Sequence, residues 1–394
     1  MYSCDFNATT PLHPAVAELL VELTQREPGN PSSPHASGRF ASQLLEHART
    51  EIAEVCDWPR SGIVFASGAT EALFIGIAGF LFGAPTSRRR VLLSSIEHKA
   101  VQSAATFAAK HCDMQVDYLS VTSDGVLDLE RASKSLAPDV ALMCVMGANN
   151  ETGVLQPIKE LVDLARNHGV PVLSDACQMP GKVDFAPSTL GVDAAVISGH
   201  KVMGPRGVGA LLIEPTLKRS LTAVLQGGGQ ESGLRGGTEN VVAIAGFGLA
   251  MKIAQTELMD RAMVMSAARS AFESRLSTLI GDLKIHGALA SRLPNTSFVS
   301  VPGVAADELL HALPLLEASA GSACQSSVPT PSHVLLAMGV DPSTADQSIR
   351  LSFPAMTSRD HSGLPHAGKE TGHLVADLIG SAVQRHLSER GATA

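Results

Sequence analysis

The chain is poor in aromatic residues. Phe, Trp and Tyr make up 4% of its 394 residues, with one Trp and two Tyr, too few for a protein that binds single-stranded nucleic acid by stacking bases on rings. Excess positive charge is missing too. Thirty basic against 38 acidic residues give a net charge of -8, which argues against a general polyanion binder and leaves room for a local phosphate pocket. The six cysteines (Cys4, Cys56, Cys112, Cys144, Cys177 and Cys324) include no CxxC pair, and no metal site is expected. The opening residues Met1-Tyr2-Ser3-Cys4-Asp5 have neither a basic leader nor an apolar run, so the thiols read as reduced and the protein as cytoplasmic. The longest apolar stretches, residues 75–82 and 241–250, fall short of the ~20 residues that cross a bilayer. Neither a membrane nor direct nucleic-acid binding is expected. Internal repeats and low-complexity tracts are also absent.

Hydrophobic residues are plentiful at 45%, with 17% charged, a balance that supports a large core and argues against wholesale disorder. At ~150 residues per domain, two units are favoured. Strand patterns fall at residues 62–67, 90–95, 115–120, 139–146, 170–175, 193–199 and 208–213. Several are unbroken apolar runs, as suits strands covered on both faces. Helical patterns such as 98–111 and 158–168 lie between them. This alternation predicts an α/β fold whose large domain has a mainly parallel seven-stranded sheet flanked by helices. After about residue 240 the rhythm changes. One long helical tract, 241–279, leads to short strand patterns at 283–286, 295–301 and 348–353, which predicts a smaller α+β C-terminal domain. The expected division is 13–255 for the large unit, with 1–12 and 256–394 forming the small one.

Ligands of open α/β sheets bind beyond the carboxyl ends of the strands. After the first strand comes Ser67-Gly68-Ala69-Thr70-Glu71, a small-residue turn that opens a helix and can face an anion; alone it also reads as a plain helix cap. After the second comes Glu97-His98-Lys99, where His98 reads equally as a surface histidine. The fourth is followed by Asn149-Asn150-Glu151-Thr152-Gly153, a polar loop or an ordinary turn. The fifth ends at Asp175, with Gln178 three residues on; a carboxylate there meets a cation or caps the next helix. Lys201 follows the sixth directly, where an amine can lose its proton and form a Schiff base, or can simply lie on the surface. Together, an anion-binding turn, a stacking histidine, a carboxylate for a pyridinium and a Schiff-base lysine form the set needed to use pyridoxal 5'-phosphate.

With these residues in place, the sequence resembles the cysteine desulfurases of the NifS/IscS group, class-V aminotransferases of the fold-type I enzymes that use pyridoxal 5'-phosphate. The likeness runs from Asp5-Phe6-Asn7-Ala8-Thr9-Thr10-Pro11 to about Ser352. It includes Gly29-Asn30-Pro31-Ser32-Ser33, the five turns above, Ser198-Gly199-His200-Lys201, Gly227-Gly228-Gly229-Gln230-Glu231, Arg235-Gly236-Gly237-Thr238, Gly321-Ser322-Ala323-Cys324 and Ile349-Arg350-Leu351-Ser352. The resemblance implies that Lys201 holds the cofactor and shuttles the α-proton, Asp175 pairs with the ring nitrogen, and Gln178 bonds the phenolate oxygen. His98 stacks on the ring and acts as acid and base. Ala69, Thr70, Ser198 and His200 hold the phosphate, joined by Thr238 from the other subunit of a homodimer. Arg350, Asn150 and Asn30 take the substrate carboxylate. Cys324, in a Gly- and Ser-rich stretch that suits an exposed thiolate, accepts sulfur as a persulfide; Cys144 and Cys177 read as core.

The implied reaction turns L-cysteine into L-alanine and passes sulfur to an acceptor protein for iron–sulfur cluster assembly or thiolation. Selenocysteine lyase is the sister activity, and another class-V aminotransferase or lyase is the coarser alternative. Two departures from the group stand out: Phe353-Pro354-Ala355-Met356 replaces its usual turn after Ser352, and Ala72 stands where a polar residue is common.

Overall fold

Seven of the apolar runs form one sheet. Its strands are β1 (Ile63–Ala66), β2 (Arg90–Ser94), β3 (Gln115–Leu119), β4 (Val140–Cys144), β5 (Val172–Asp175), β6 (Ala194–Ser198) and β7 (Gly209–Ile213). They lie in the order β1-β7-β6-β5-β4-β2-β3. All neighbours are parallel except β7, which runs antiparallel to both β1 and β6. The computed structural model describes residues 2–320, 331–355, 358–359, 365–366 and 368–391. Cys324 lies outside the described residues, as does most of 356–367.

The unbroken apolar runs follow from cover on both faces. Leu92 and Met143 join the core built with Leu45, Ile52, Phe247 and Met251 from helices Ala36–Val55 and Val241–Thr256. Val91, Leu93, Leu142 and Cys144 point the other way, into a core with Leu73, Ile77 and Ala105 from helices Ala69–Gly83 and Lys99–His111. Each large side chain fully buried in this way stabilises the fold by about 2 kcal/mol relative to leaving it in water. The apolar stretch at 75–82 is thus a core helix, and no single helix among the described residues is long and apolar enough to cross a membrane.

The long tract expected at 241–279 is two helices, Val241–Thr256 and Leu258–Leu279, turned 72° from each other. Glu257 leaves the helical region at φ -98, ψ 8. No Pro or Gly marks this break, because tertiary packing sets it. The first helix lies on the large sheet, whereas the second packs along Lys369–Gly391. Gly372 permits that close crossing, since a Cβ there would sit 2.1 Å from the Ala268 carbonyl oxygen. These two helices cover a four-stranded antiparallel sheet of β8 (Lys284–Ile285), β9 (Thr296–Ser300), β10 (Ser319–Ala320) and β11 (Ser348–Ser352), in the order β10-β11-β9-β8. The N-terminal segment links the two sheets. Tyr2–Ser3 pairs with Leu316–Glu317, Asp5 bridges to Ser352, and the Thr10 amide donates to the His200 carbonyl at 2.9 Å.

Candidate active site

The carboxyl ends of β1, β2, β4, β5 and β6 meet the start of β7 at one edge of the sheet, where a cavity of about 560 Å³ opens. Ala69, Thr70, His98, Asn150, Asp175, Gln178, Ser198, His200 and Lys201 all line it from loops after those strands, and Arg350 enters from β11. Asn30 and Thr238 do not line it: both are exposed, and the Asn30 side chain accepts from the Ser32 amide at 2.9 Å.

Lys201 closes a single 3-10 turn, Gly199–Lys201, directly after β6. Its Nζ donates to the carbonyls of Asn7 and Ala8, the latter at 2.8 Å. Two residues on, Met203 adopts φ 65, an uncommon conformation for a side chain of this size, and its amide is held by Thr10 Oγ1 at 2.8 Å. Such local strain persists where surrounding structure fixes it, often at functional sites. Asp175 ends β5 at 9% exposure and accepts from the Cys177 amide at 3.1 Å. Beside it, Glu97 is buried; burial and then the Asp175 charge push its carboxyl well above the usual range.

His98 caps helix Lys99–His111 by accepting the Ala100 amide on Nδ1 at 3.1 Å. Its neutral form therefore carries the proton on Nε2. Burial lowers its pKa below 6.5; Lys201 and Lys99 add to this and Asp175 opposes it. His200 is pushed down to about 4 by burial, then by Lys201 and Arg206. At the opening of helix Ala69–Gly83, Glu71 accepts from the Ser67 amide at 2.6 Å and pairs with Arg235 at 2.8 Å. These bonds outweigh burial and hold its carboxyl below the usual value. The carboxylate braces the turn, and Glu71 lines the cavity together with Ala69 and Thr70. Arg350, 5% exposed, donates to Asp5 Oδ1 at 2.6 Å, Ser319 Oγ at 3.0 Å and the Asn150 carbonyl at 3.2 Å, while its Nε has no partner among the described residues.

Two groups escaped the strand-end reading. Asn7, buried, is a hub: its carbonyl accepts from Lys201 and from Gln178 Nε2 at 3.0 Å, and its side chain reaches Thr296 Oγ1 at 2.8 Å and Lys182 Nζ at 2.9 Å. Lys182, also buried, sits behind Gln178 and donates to its Oε1. The motif around Asn7 was visible in the sequence, but nothing local marked its side chain; a lysine four residues after Gln178 was the only signal for Lys182.

A phosphorylated pyridine fits these residues. Among the described residues, Ser198 Oγ is buried with no hydrogen-bond partner, and Ser198 lines the cavity, beside the start of a 15-residue helix whose free amides favour an anion. A carboxylate and an amine stand in the same cavity for a ring nitrogen and an aldehyde. A family model described as aminotransferase class V matches residues 3–361. The chain belongs to the class-V aminotransferase family, in its NifS/IscS cysteine desulfurase group. A cysteine desulfurase of Frankia sp. (strain EuIK1) is 38% identical over 98% of this chain and 92% of its own length. A solved NifS-like protein superposes with a TM-score of 0.87 at 32% identity, covering 97% of this chain and 99% of that one. Another solved structure, SspA in complex with cysteine, gives 0.80 at 29% identity over 90% of this chain and 99% of that one. As a class-V cysteine desulfurase, the chain has an α/β fold whose Cys144 and Cys177 are core residues, with burial raising both thiols well above 9.0.

Proposed function

We propose that this desulfurase holds pyridoxal 5'-phosphate on Lys201 and passes the sulfur of L-cysteine to Cys324, releasing L-alanine. Residues 13–255 form the unit that holds the cofactor, and 1–12 with 256–394 form the unit that supplies Arg350 and Cys324. The observation that carries this reading is the convergence of Lys201, Asp175 and the unpartnered Ser198 hydroxyl on one cavity. Ala69, Thr70, Ser198 and His200 hold the phosphate, and Thr238, exposed and outside the cavity of its own chain, reaches it from the second subunit of a homodimer. Low proton affinity keeps His200 neutral, so it offers a hydrogen bond without adding charge. Asp175 keeps a proton on the ring nitrogen, and Gln178 donates to the ring oxygen. Bound this way, the cofactor supplies an electron sink beside the substrate α-carbon.

The remaining steps belong to the protein. The unpartnered Nε of Arg350, with Asn150, takes the substrate carboxylate, and Asn30 assists from the rim. Lys201 Nζ removes the α-proton and returns one. His98 would lie against the ring and act as the acid and base toward the substrate thiol. The Cys324 thiolate attacks the substrate sulfur, a sulfur–sulfur bond forms, and the carbon–sulfur pair stays on carbon, which is protonated and leaves as alanine. The persulfide on Cys324 then passes to an acceptor protein in the cytoplasm for iron–sulfur cluster assembly or thiolation.

The test begins with the absorption spectrum of the purified protein. A Schiff-base band lost in Lys201→Ala, with sulfide and alanine formed from cysteine, is the expected result. Cys324→Ala is expected to abolish sulfur release while keeping the band. Sulfur release that survives in Cys324→Ala would overturn the transfer step, and alanine formed only from selenocysteine would assign the sister lyase.

A further inference from the structure

Lys182 lies one layer behind the cavity, 5% exposed and absent from its lining. Its Nζ donates to Asn7 Oδ1 at 2.9 Å and to Gln178 Oε1. Both partners are amide oxygens, and the charged groups that act on it are Lys201, Arg350 and the Cys177 thiol. Burial, then the two cations, push its pKa well below 10.5. Both bonds are N–H donations from Nζ, one to each amide oxygen.

We propose that Lys182 is a positioning residue for cofactor binding, fixing through Gln178 and Asn7 which end of the Gln178 amide faces the ligand. A glutamine amide has two orientations that exchange its oxygen and nitrogen. The Asn7 carbonyl can only accept, so it requires Nε2, which it meets at 3.0 Å, and Lys182 Nζ donates to Oε1 at the other end of the amide. A flipped amide would set its oxygen against the Asn7 carbonyl oxygen. With the orientation fixed, the second N–H of Nε2 is left for an oxygen acceptor in the cavity that Gln178 lines. The same Asn7 carbonyl accepts from Lys201, so the Gln178 amide and the Lys201 amine share one acceptor. Taking Lys182 away leaves Asn7 held by Ser352, Asn150, Thr296 and Asn295 and removes the donor from the Gln178 oxygen.

This inference rests on the cofactor reading above, and its test separates the two. Lys182→Met keeps the length of the side chain and removes the donors. The variant is loaded with pyridoxal 5'-phosphate, and the absorption band, its pH titration and the cofactor dissociation constant are measured, with apoprotein melting as the folding control. The expected result is a shifted titration midpoint and about tenfold weaker cofactor binding, the loss of roughly one hydrogen bond. In a Gln178→Ala background both effects should vanish, because Lys182 then has no amide to orient. An unchanged band in Lys182→Met, or a change that persists undiminished beside Gln178→Ala, would overturn the proposal. If Lys182→Met does not fold, Lys182→Gln, too short to reach both oxygens, takes its place in the same cycle. A wild-type protein with no band would overturn the cofactor reading instead.

Discussion

Ser198 shows how one atom separates stability from ligand binding. Its hydroxyl is buried and unpartnered at the end of β6, and such a group destabilises a fold by about 1–3 kcal/mol. A phosphate oxygen would supply the missing partner. Ser198→Ala is therefore expected to leave the apoprotein as stable as wild type or more so, while weakening pyridoxal 5'-phosphate binding about tenfold. Denaturant melts of the apoprotein and a cofactor titration measure the two halves separately. A variant that loses apoprotein stability and keeps its cofactor affinity would show that the hydroxyl serves the fold alone. Arg350 illustrates the same point from the other side: its guanidinium is already satisfied on Asp5, Ser319 and Asn150 except at Nε. Among the described residues, that leaves one unpaired donor within a charge otherwise balanced by Asp5.

At the level of elements, the approach of helix Ala69–Gly83 to the sheet decides where the turn at residues 67–70 sits. Gly209, the first residue of β7, makes that approach possible: a Cβ there would lie 2.8 Å from the Gly68 carbonyl carbon, 2.9 Å from the Ile197 oxygen and 3.0 Å from the Ala69 amide nitrogen. All three are backbone atoms, so the helix start has to move. Gly209→Ala is expected to lower stability by about 1–3 kcal/mol and to weaken cofactor binding more than Ser198→Ala does, because it displaces Gly68, Ala69 and Thr70 together; equilibrium unfolding and a cofactor titration check both. Undiminished cofactor affinity in this variant would show that the turn is not part of the phosphate cradle. The strand ends were legible in the sequence for a physical reason. A strand covered on both faces reads as an unbroken apolar run, so the polar residue that stops it, such as Asp175 or Ser198, stands out. The wall opposite was not legible. Asn7 meets Gln178 and Lys201 across 171 and 194 residues of chain, and no local pattern encodes a contact at that separation. The break at Glu257 was hidden for a related reason, since no Pro or Gly interrupts the chain there and only their different partners turn the two helices apart.

Across the whole molecule, buried histidines and buried acids pull stability in opposite directions with pH. Burial depresses His98, His200, His286 and His333, with His200 and His286 pushed down to about 4 from 6.5. The unfolded chain binds these protons first, so this part of the stability is present above 6.5 and is lost as pH falls toward 4. Glu151 has the opposite sign. Burial raises it from 4.5 to about 7 even though Ser332 Oγ donates to it and Arg350 and Lys99 lie near. The folded protein holds this proton first, so stability grows as pH falls from about 7 to 4.5, by roughly 3 kcal/mol from Glu151 alone. Glu97, raised by burial and Asp175, acts in the same sense. Wild-type apoprotein should therefore lose stability on acidification less steeply than its histidines alone dictate. Glu151→Gln keeps an acceptor for Ser332 and removes the titration. Its unfolding free energy, measured by denaturant at each pH, should fall increasingly below that of wild type from pH 7 to 4.5, with the gap widening by roughly 3 kcal/mol. Curves that stay parallel over that window would mean that the fold does not raise the proton affinity of Glu151.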